Sequence, residues 1–277
     1  KLDKRTNLTT MAYKERKIYA GKTVEVEKFY DYRDNRGTES RMPKIELSPE
    51  AKQARNERQA ERKLRQLMNT NFDNNSWYLT MDCIKEDGLP YVSVSEMGTL
   101  LSQFQRKLRS FYKKCGHELK YVSVMAIGSR SARHFHLVFS DCRGVGYRQM
   151  RPLLQEIWDS VYLVNGRTRR SYIHLENLYG DNYGDLAAYF IKQSKTTFET
   201  IGRKIGKRWN SSRNLAKPKE VTRRITNREA FRLKPAAPKG YYIDDKYTVI
   251  GSGDTEFGGY DYMRYILIRM SEAELYE

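Results

Sequence analysis

Apolar and polar positions divide the chain into stretches of different period. Residues 1–47 are polar, mixed in charge and rich in Tyr, with a charged, Gly-bearing patch at 34–37, and they read as an N-terminal arm. Ser48-Pro49-Glu50 then spells a helix start. Ser suits the cap, Pro the first helical position, and the acid complements the dipole there. The helix continues through AKQARNERQAERKLRQLM with few apolar positions, so most of it is expected to be exposed. Residues 77–81, WYLTM, are aromatic and β-prone and predict a buried strand. Ser95 opens a second helix, with Leu100, Leu101, Phe104, Leu108 and Phe111 at three-to-four spacing and Gly116 as its stop.

Two strands are predicted over 118–128 and 134–140, joined by a short loop and therefore antiparallel. An amphipathic segment over 147–159 precedes strands near 161–164 and 171–176, and a further helix spans 183–195. This order fits an α+β class, a central antiparallel sheet flanked by helices. The expected organisation is an arm (1–47), a main domain (48–195) and a C-terminal extension or subdomain (196–277), with short strands over 241–270 around a Gly-rich loop.

Charge changes the picture more than composition does. Lys and Arg number 51 against 34 Asp and Glu, a formal +17 with a pI near 9.6. A surplus of that size repels itself in a compact fold and points to a polyanionic partner; a merely basic, solvated surface is the alternative. Residues 196–240 hold thirteen Lys or Arg against three acids, so the surplus is concentrated there. No stretch approaches the ~20 apolar residues of a membrane-spanning helix, and no apolar run follows the first residues as in a secretory signal. Three widely spaced cysteines, Cys83, Cys115 and Cys142, form neither a disulfide framework nor a zinc pattern and fit a reducing cytoplasm.

Two clusters carry chemistry. In Arg133-His134-Phe135-His136-Leu137-Val138-Phe139 the period of two puts both histidines on one face and Phe135, Leu137 and Phe139 on the other. Same-face imidazoles can share a divalent cation, although an isolated H-x-H is also met as a plain surface pair. In the helix at 183–195, Asp185, Tyr189, Lys192 and Gln193 share a face while Leu186 and Phe190 turn to the core. A tyrosine one turn from a lysine and facing a metal suits phosphoryl transfer, because a nearby cation favours the phenolate. With 21 tyrosines in the chain, a Tyr packed between helix and sheet is the plain alternative.

Together, in this order and on so basic a chain, the clusters resemble the HUH endonuclease superfamily, in particular the rolling-circle replication initiators of small phages and plasmids. The resemblance runs from the basic helix through WYLTM, the HFH strand and Ile157-Trp158 to AYFIK at 188–192, about half the chain. It implies that His134 and His136 bind Mg2+ or Mn2+, and that Tyr189 attacks a phosphate of single-stranded DNA or an origin hairpin. The products would be a 5′-phosphotyrosine and a free 3′-OH, with Lys192 positioning the phosphate. Arg55, Arg58 and Arg62 on the first helix, Arg133 beside the histidines, and Arg203, Lys207 and Arg208 further on are the candidate DNA contacts; Trp209 is a candidate base-stacking ring.

Two positions depart from the family pattern. Ala126 stands where relatives often place a glutamate ligand, so Gln193 is the first candidate for the third ligand, with Glu176, Asp185 and His174 behind it. Gln193 also replaces a second tyrosine, which favours a single nucleophile. No G-x-x-x-x-G-K-[ST] loop occurs, so helicase and polymerase would come from the host. A relaxase or a Y1-type transposase would use the same chemistry, and a non-catalytic nucleic-acid-binding protein would need the HFH strand only for structure.

Overall fold

A computed structural model describes residues 13–31, 48–84, 91–128, 132–164, 167–168, 171–202, 206–226, 229, 234–251 and 261–271. The chain is α+β and divides into two compact units, Glu57–Ala216 and a second built from Lys1–Asn56 with Lys217–Glu277. No helix among the described residues is long and apolar enough to cross a membrane.

The second unit is a five-stranded antiparallel sheet made from both ends of the chain. Strands β1 (Tyr13–Ala20) and β2 (Thr23–Tyr30) form a hairpin whose turn uses Gly21 at φ 61°, where a side chain would strain the backbone. The described part of the region read as an N-terminal arm, 13–31, is thus a hairpin of this sheet. Its polarity misleads because charge is buried there in pairs: Glu27 is 1% exposed and accepts from Arg16 Nε (2.7 Å) and the Tyr262 hydroxyl (2.9 Å).

The Glu57–Ala216 unit carries the predicted chemistry. Helix α1 (Pro49–Asn71) starts at the expected cap, Ala51 N donating to Ser48 Oγ at 3.2 Å. It is exposed over its first half only: Leu64, Arg65 and Met68 are buried near its end. After β3 (Trp77–Cys83), helix α2 (Val94–Lys114) opens on a capping box between Ser93 and Glu96. Gly116, at φ 75°, closes it: His117 N reaches Tyr112 O (2.9 Å) and Gly116 N reaches Lys113 O (3.1 Å), satisfying two terminal carbonyls. Strands β4 (Tyr121–Ile127) and β5 (Arg133–Phe139) follow, then α3 (Tyr147–Asp159), the short pair β6 (Leu163–Val164) and β7 (Arg167–Thr168), and β8 (Ser171–Asn177). Helix α4 (Gly184–Ile201) runs one and a half turns past its predicted end before β9 (Asn210–Ser211).

The remaining strands, β10 (Lys219–Arg224), β11 (Tyr241–Gly251) and β12 (Tyr262–Arg269), return to the other unit. There the strand order is β10-β1-β2-β12-β11, so 196–277 is not one extension: 206–216 belongs with the first unit, whereas β10 and β12 pair with the N-terminal hairpin and β11 pairs with β12.

In the unit with the histidines the sheet order is β8-β3-β5-β4-β9, antiparallel throughout. Period two sorts its side chains cleanly. Leu79, Met81, Phe135, Leu137 and Phe139 face α2 and α3 in the larger core, closed by Phe104 and Trp158. Val122, Val124 and Val138 face α1 and α4, which contribute Leu64, Met68, Phe190 and Ile191. Both faces are therefore covered, and α4 lies over the one that bears the histidines.

Candidate active site

Three strands and one helix assemble the site. Register sets His134 of β5 between Asp82 on β3 and Ala126 on β4, and His136 between Thr80 and Val124. Above them α4 is anchored at its start by α1: the buried Asn69 accepts from Tyr183 N (2.9 Å) and donates to Asn182 Oδ1 (3.0 Å). Six residues on, Tyr189 comes down over His136, its hydroxyl 3.2 Å from Nε2 and the two rings 5.0 Å apart at 73°.

His136 is the hub. It is 2% exposed, and its Nδ1 lies 2.9 Å from the Tyr78 hydroxyl and 3.2 Å from Thr80 Oγ1. A neutral imidazole donates from one nitrogen and accepts at the other. With the proton on Nδ1, directed to those two hydroxyl oxygens, the Nε2 lone pair is left to accept from Tyr189. Burial, with His134 beside it, lowers its pKa to about 3, so the ring stays neutral. His134, 4.8 Å away ring to ring, is also shifted down by burial, against the opposing pull of Asp82 and a hydrogen bond with Gln193. Burial raises the Asp82 carboxyl, with His134 acting in the other direction.

Tyr189 is 36% exposed. Burial raises its pKa, whereas hydrogen bonds from Tyr78 and Gln193 favour the phenolate. The site therefore holds a protonated phenol beside two neutral imidazoles.

Four of the predicted residues meet here. His134, His136, Tyr189 and Gln193 converge; Lys192 lies on the exposed side of α4 a turn from Tyr189. Of the other ligand candidates, His174 and Glu176 pair with each other at 3.6 Å on β8, opposite Thr80 and Tyr78, and Asp185 is exposed in the first turn of α4. Arg133 is not brought to the histidines. As an odd position of β5 it lies on the opposite sheet face, with its guanidinium 4.6 Å over the Tyr91 ring. Arg55 and Arg58 are exposed along α1 and Arg62 is half-buried. Lys207 is exposed, Arg208 is half-buried, and Trp209 packs partly against the α1–α4 core rather than standing free for stacking. Arg203 lies outside the described residues.

Sequence reasoning missed Asp82, Tyr78 and Thr80. Their signal is the alternation of 77–83, which puts all three on the histidine face once β3 lies beside β5. The carboxylate absent at Ala126 thus has a counterpart on the opposite neighbour strand.

Among the described residues no group of three or more His, Cys, Asp or Glu side chains is placed to hold a metal ion. The donors that do meet are two neutral imidazoles and the Gln193 amide, already bonded to His134. Mixed nitrogen and oxygen donors of this kind can take a divalent first-row cation, with Asp82 supplying negative charge alongside. Comparison of the chain with protein-family models, with curated proteins and with solved structures gives no match.

Proposed function

We propose that this chain is a single-tyrosine, metal-dependent nuclease that nicks and rejoins single-stranded DNA, and that it starts rolling-circle replication with helicase and polymerase supplied by the host. The observation that carries the reading is the Tyr189 hydroxyl 3.2 Å from His136 Nε2, two groups 53 residues apart in a chain of net charge +17.

The chemistry assigned to each residue follows from its surroundings. Tyr189 oxygen attacks a backbone phosphorus in line with the bond to the 3′ oxygen. A P–O bond to tyrosine forms as the P–O3′ bond breaks, the phenol gives up its proton, and the departing oxygen gains one to become a 3′-OH. The reverse step rejoins the strand without a nucleotide cofactor, because the phosphoester energy is kept in the protein link. Tyr78 and Gln193 donate to the developing phenolate, and Lys192 stands at the open side where phosphate charge arrives. His134, His136 and Gln193 would hold Mg2+ or Mn2+, which supplies charge withdrawal from the scissile phosphate.

The test is a denaturing gel for a protein–DNA adduct, using single-stranded oligonucleotides from a candidate origin with Mn2+ or with EDTA. A denaturant-stable band that needs metal and disappears in Tyr189→Phe is the expected result. Tight binding without adduct in the presence of metal refutes the enzyme and leaves a nucleic-acid-binding protein.

A further inference from the structure

Away from the histidine face, a groove of about 700 Å3 opens between the end of α2 and the segment around β9. Arg109, Lys113, His117, Tyr121, Arg213 and Asn214 line it. The β9 wall is fixed to the edge of β4: Tyr121 N donates to Ser212 Oγ and Ser212 N to Tyr121 O, both at 3.0 Å. Arg213, the next residue, is therefore presented from a fixed backbone.

The groove carries a net positive charge, three cations against one carboxylate. Arg109, Lys113 and Arg213 are all exposed, and none makes an ion pair or hydrogen bond among the described residues. The acid that lines the groove, Glu118, is engaged by the Asn214 amide at 3.2 Å. Arg109 and Lys113 stand one turn apart on one helix face, a like-charge spacing that works against the helix. The dipole at the helix C-terminus accounts for Lys113, in the last turn, but not for Arg109. A bound polyanion accounts for all three cations.

We propose that this groove holds the sugar-phosphate backbone of the single strand that flanks the phosphate attacked by Tyr189. The inference rests on the reading of Tyr189 given above. The space is that of a small-ligand cleft and admits a stretch of single strand. Strand β4 links the two places. Tyr121 lines the groove, and Ala126, five positions on, pairs with His134, about 17 Å along the strand. Tyr121 faces α2 and Ala126 faces α4, so the bound strand passes over the β9 edge of the sheet between them.

The test uses the full chain in EDTA, so that binding is read without cleavage, and measures the anisotropy of a labelled single-stranded oligonucleotide as KCl is raised. The triple variant Arg109→Gln, Lys113→Gln, Arg213→Gln should lower the slope of log K against log [KCl] by about 2, because each phosphate contact on a single strand contributes about 0.7. Lys107→Gln with Lys114→Gln, on the other side of the same helix, should leave that slope at the wild-type value. Unchanged thermal unfolding shows that both variants fold. A wild-type slope in the triple variant overturns the groove, as does a loss proportional to charge in both variants. So does a loss seen only with a duplex probe. If the triple variant behaves as expected and no adduct ever forms, the groove stands and the nuclease reading falls. If the wild-type chain binds single strands without salt dependence, the groove falls, and the nuclease reading is decided by the adduct gel alone.

Discussion

The hydroxyl of Tyr189 and a metal ion would compete for one lone pair. His136 Nε2 accepts from Tyr189 at 3.2 Å, while Nδ1 is engaged by Tyr78 and Thr80. A cation coordinated by His136 must use Nε2, so it first breaks that bond. A neutral intramolecular hydrogen bond contributes about 1 kcal/mol net, and Tyr189, about a third exposed, is near the middle of that range rather than above it. Tyr189→Phe removes the competitor and keeps the ring against His136 and Phe190. Mn2+ should then bind about 5-fold tighter in the variant than in the wild type, since 1.4 kcal/mol is tenfold. The assay is calorimetric titration of DNA-free protein with Mn2+, with His136→Ala as the reference lacking the site. Equal affinity would show that Tyr189 does not occupy the coordinating nitrogen. Weaker binding in Tyr189→Phe would make the phenol a ligand and reverse the argument.

Further consequences follow from the same geometry. Tyr78→Phe removes an Nδ1 partner of His136 and should weaken Mn2+ binding about 10-fold, as loss of an outer-shell partner does elsewhere; affinity unchanged within error would remove Tyr78 from the site. His136 stays neutral in the fold down to about pH 3, whereas its unfolded counterpart protonates near 6.5. Between those values the unfolded chain binds the extra proton, so metal-free stability should fall by a few kcal/mol as pH drops from 6.5 toward 3. Urea unfolding at several pH values should show a shallower fall in His136→Gln; parallel curves would contradict this. Burial raises the Tyr189 pKa, so adduct formation should climb continuously from pH 7 to 9, and a plateau in that range would place the ionisation elsewhere. Leu137→Ala, fully buried between α2 and α3, should cost about 3 kcal/mol in urea unfolding, and a loss below about 1 kcal/mol would mean that this face is not a packed core.

The parts of the fold legible in sequence were those set by local rules. The Ser48 cap, the α2 stripe of Leu101, Phe104 and Leu108, and the two faces of β5 each follow from a period of 3.6 or 2 and a capping residue. What could not be read is set by pairing between distant segments. Asp82 gains meaning only when β3 lies beside β5, and the N-terminal hairpin only when β10 and β12, some two hundred residues later, flank it. The hairpin did carry its alternation in 23–26 and its Gly21 turn. Its charged residues hid it, because Glu25 and Glu27 are buried at 3% and 1% among arginines and a tyrosine rather than exposed. Arg133 was misplaced for a simpler reason: adjacent to His134 in sequence, it is by the same period of two on the other side of the sheet.

The central claim is that Tyr189 is the nucleophile, and the most direct measurement is the chemical identity of the protein–DNA link. Protein incubated with Mn2+ and a single-stranded origin oligonucleotide is digested with trypsin and nuclease, and the peptides are analysed by mass spectrometry. The account predicts a nucleotide 5′-phosphate esterified to Tyr189 in the peptide that ends at Lys192. A nucleotide on any other of the 21 tyrosines, or cleaved DNA with no peptide-linked phosphate, would contradict it.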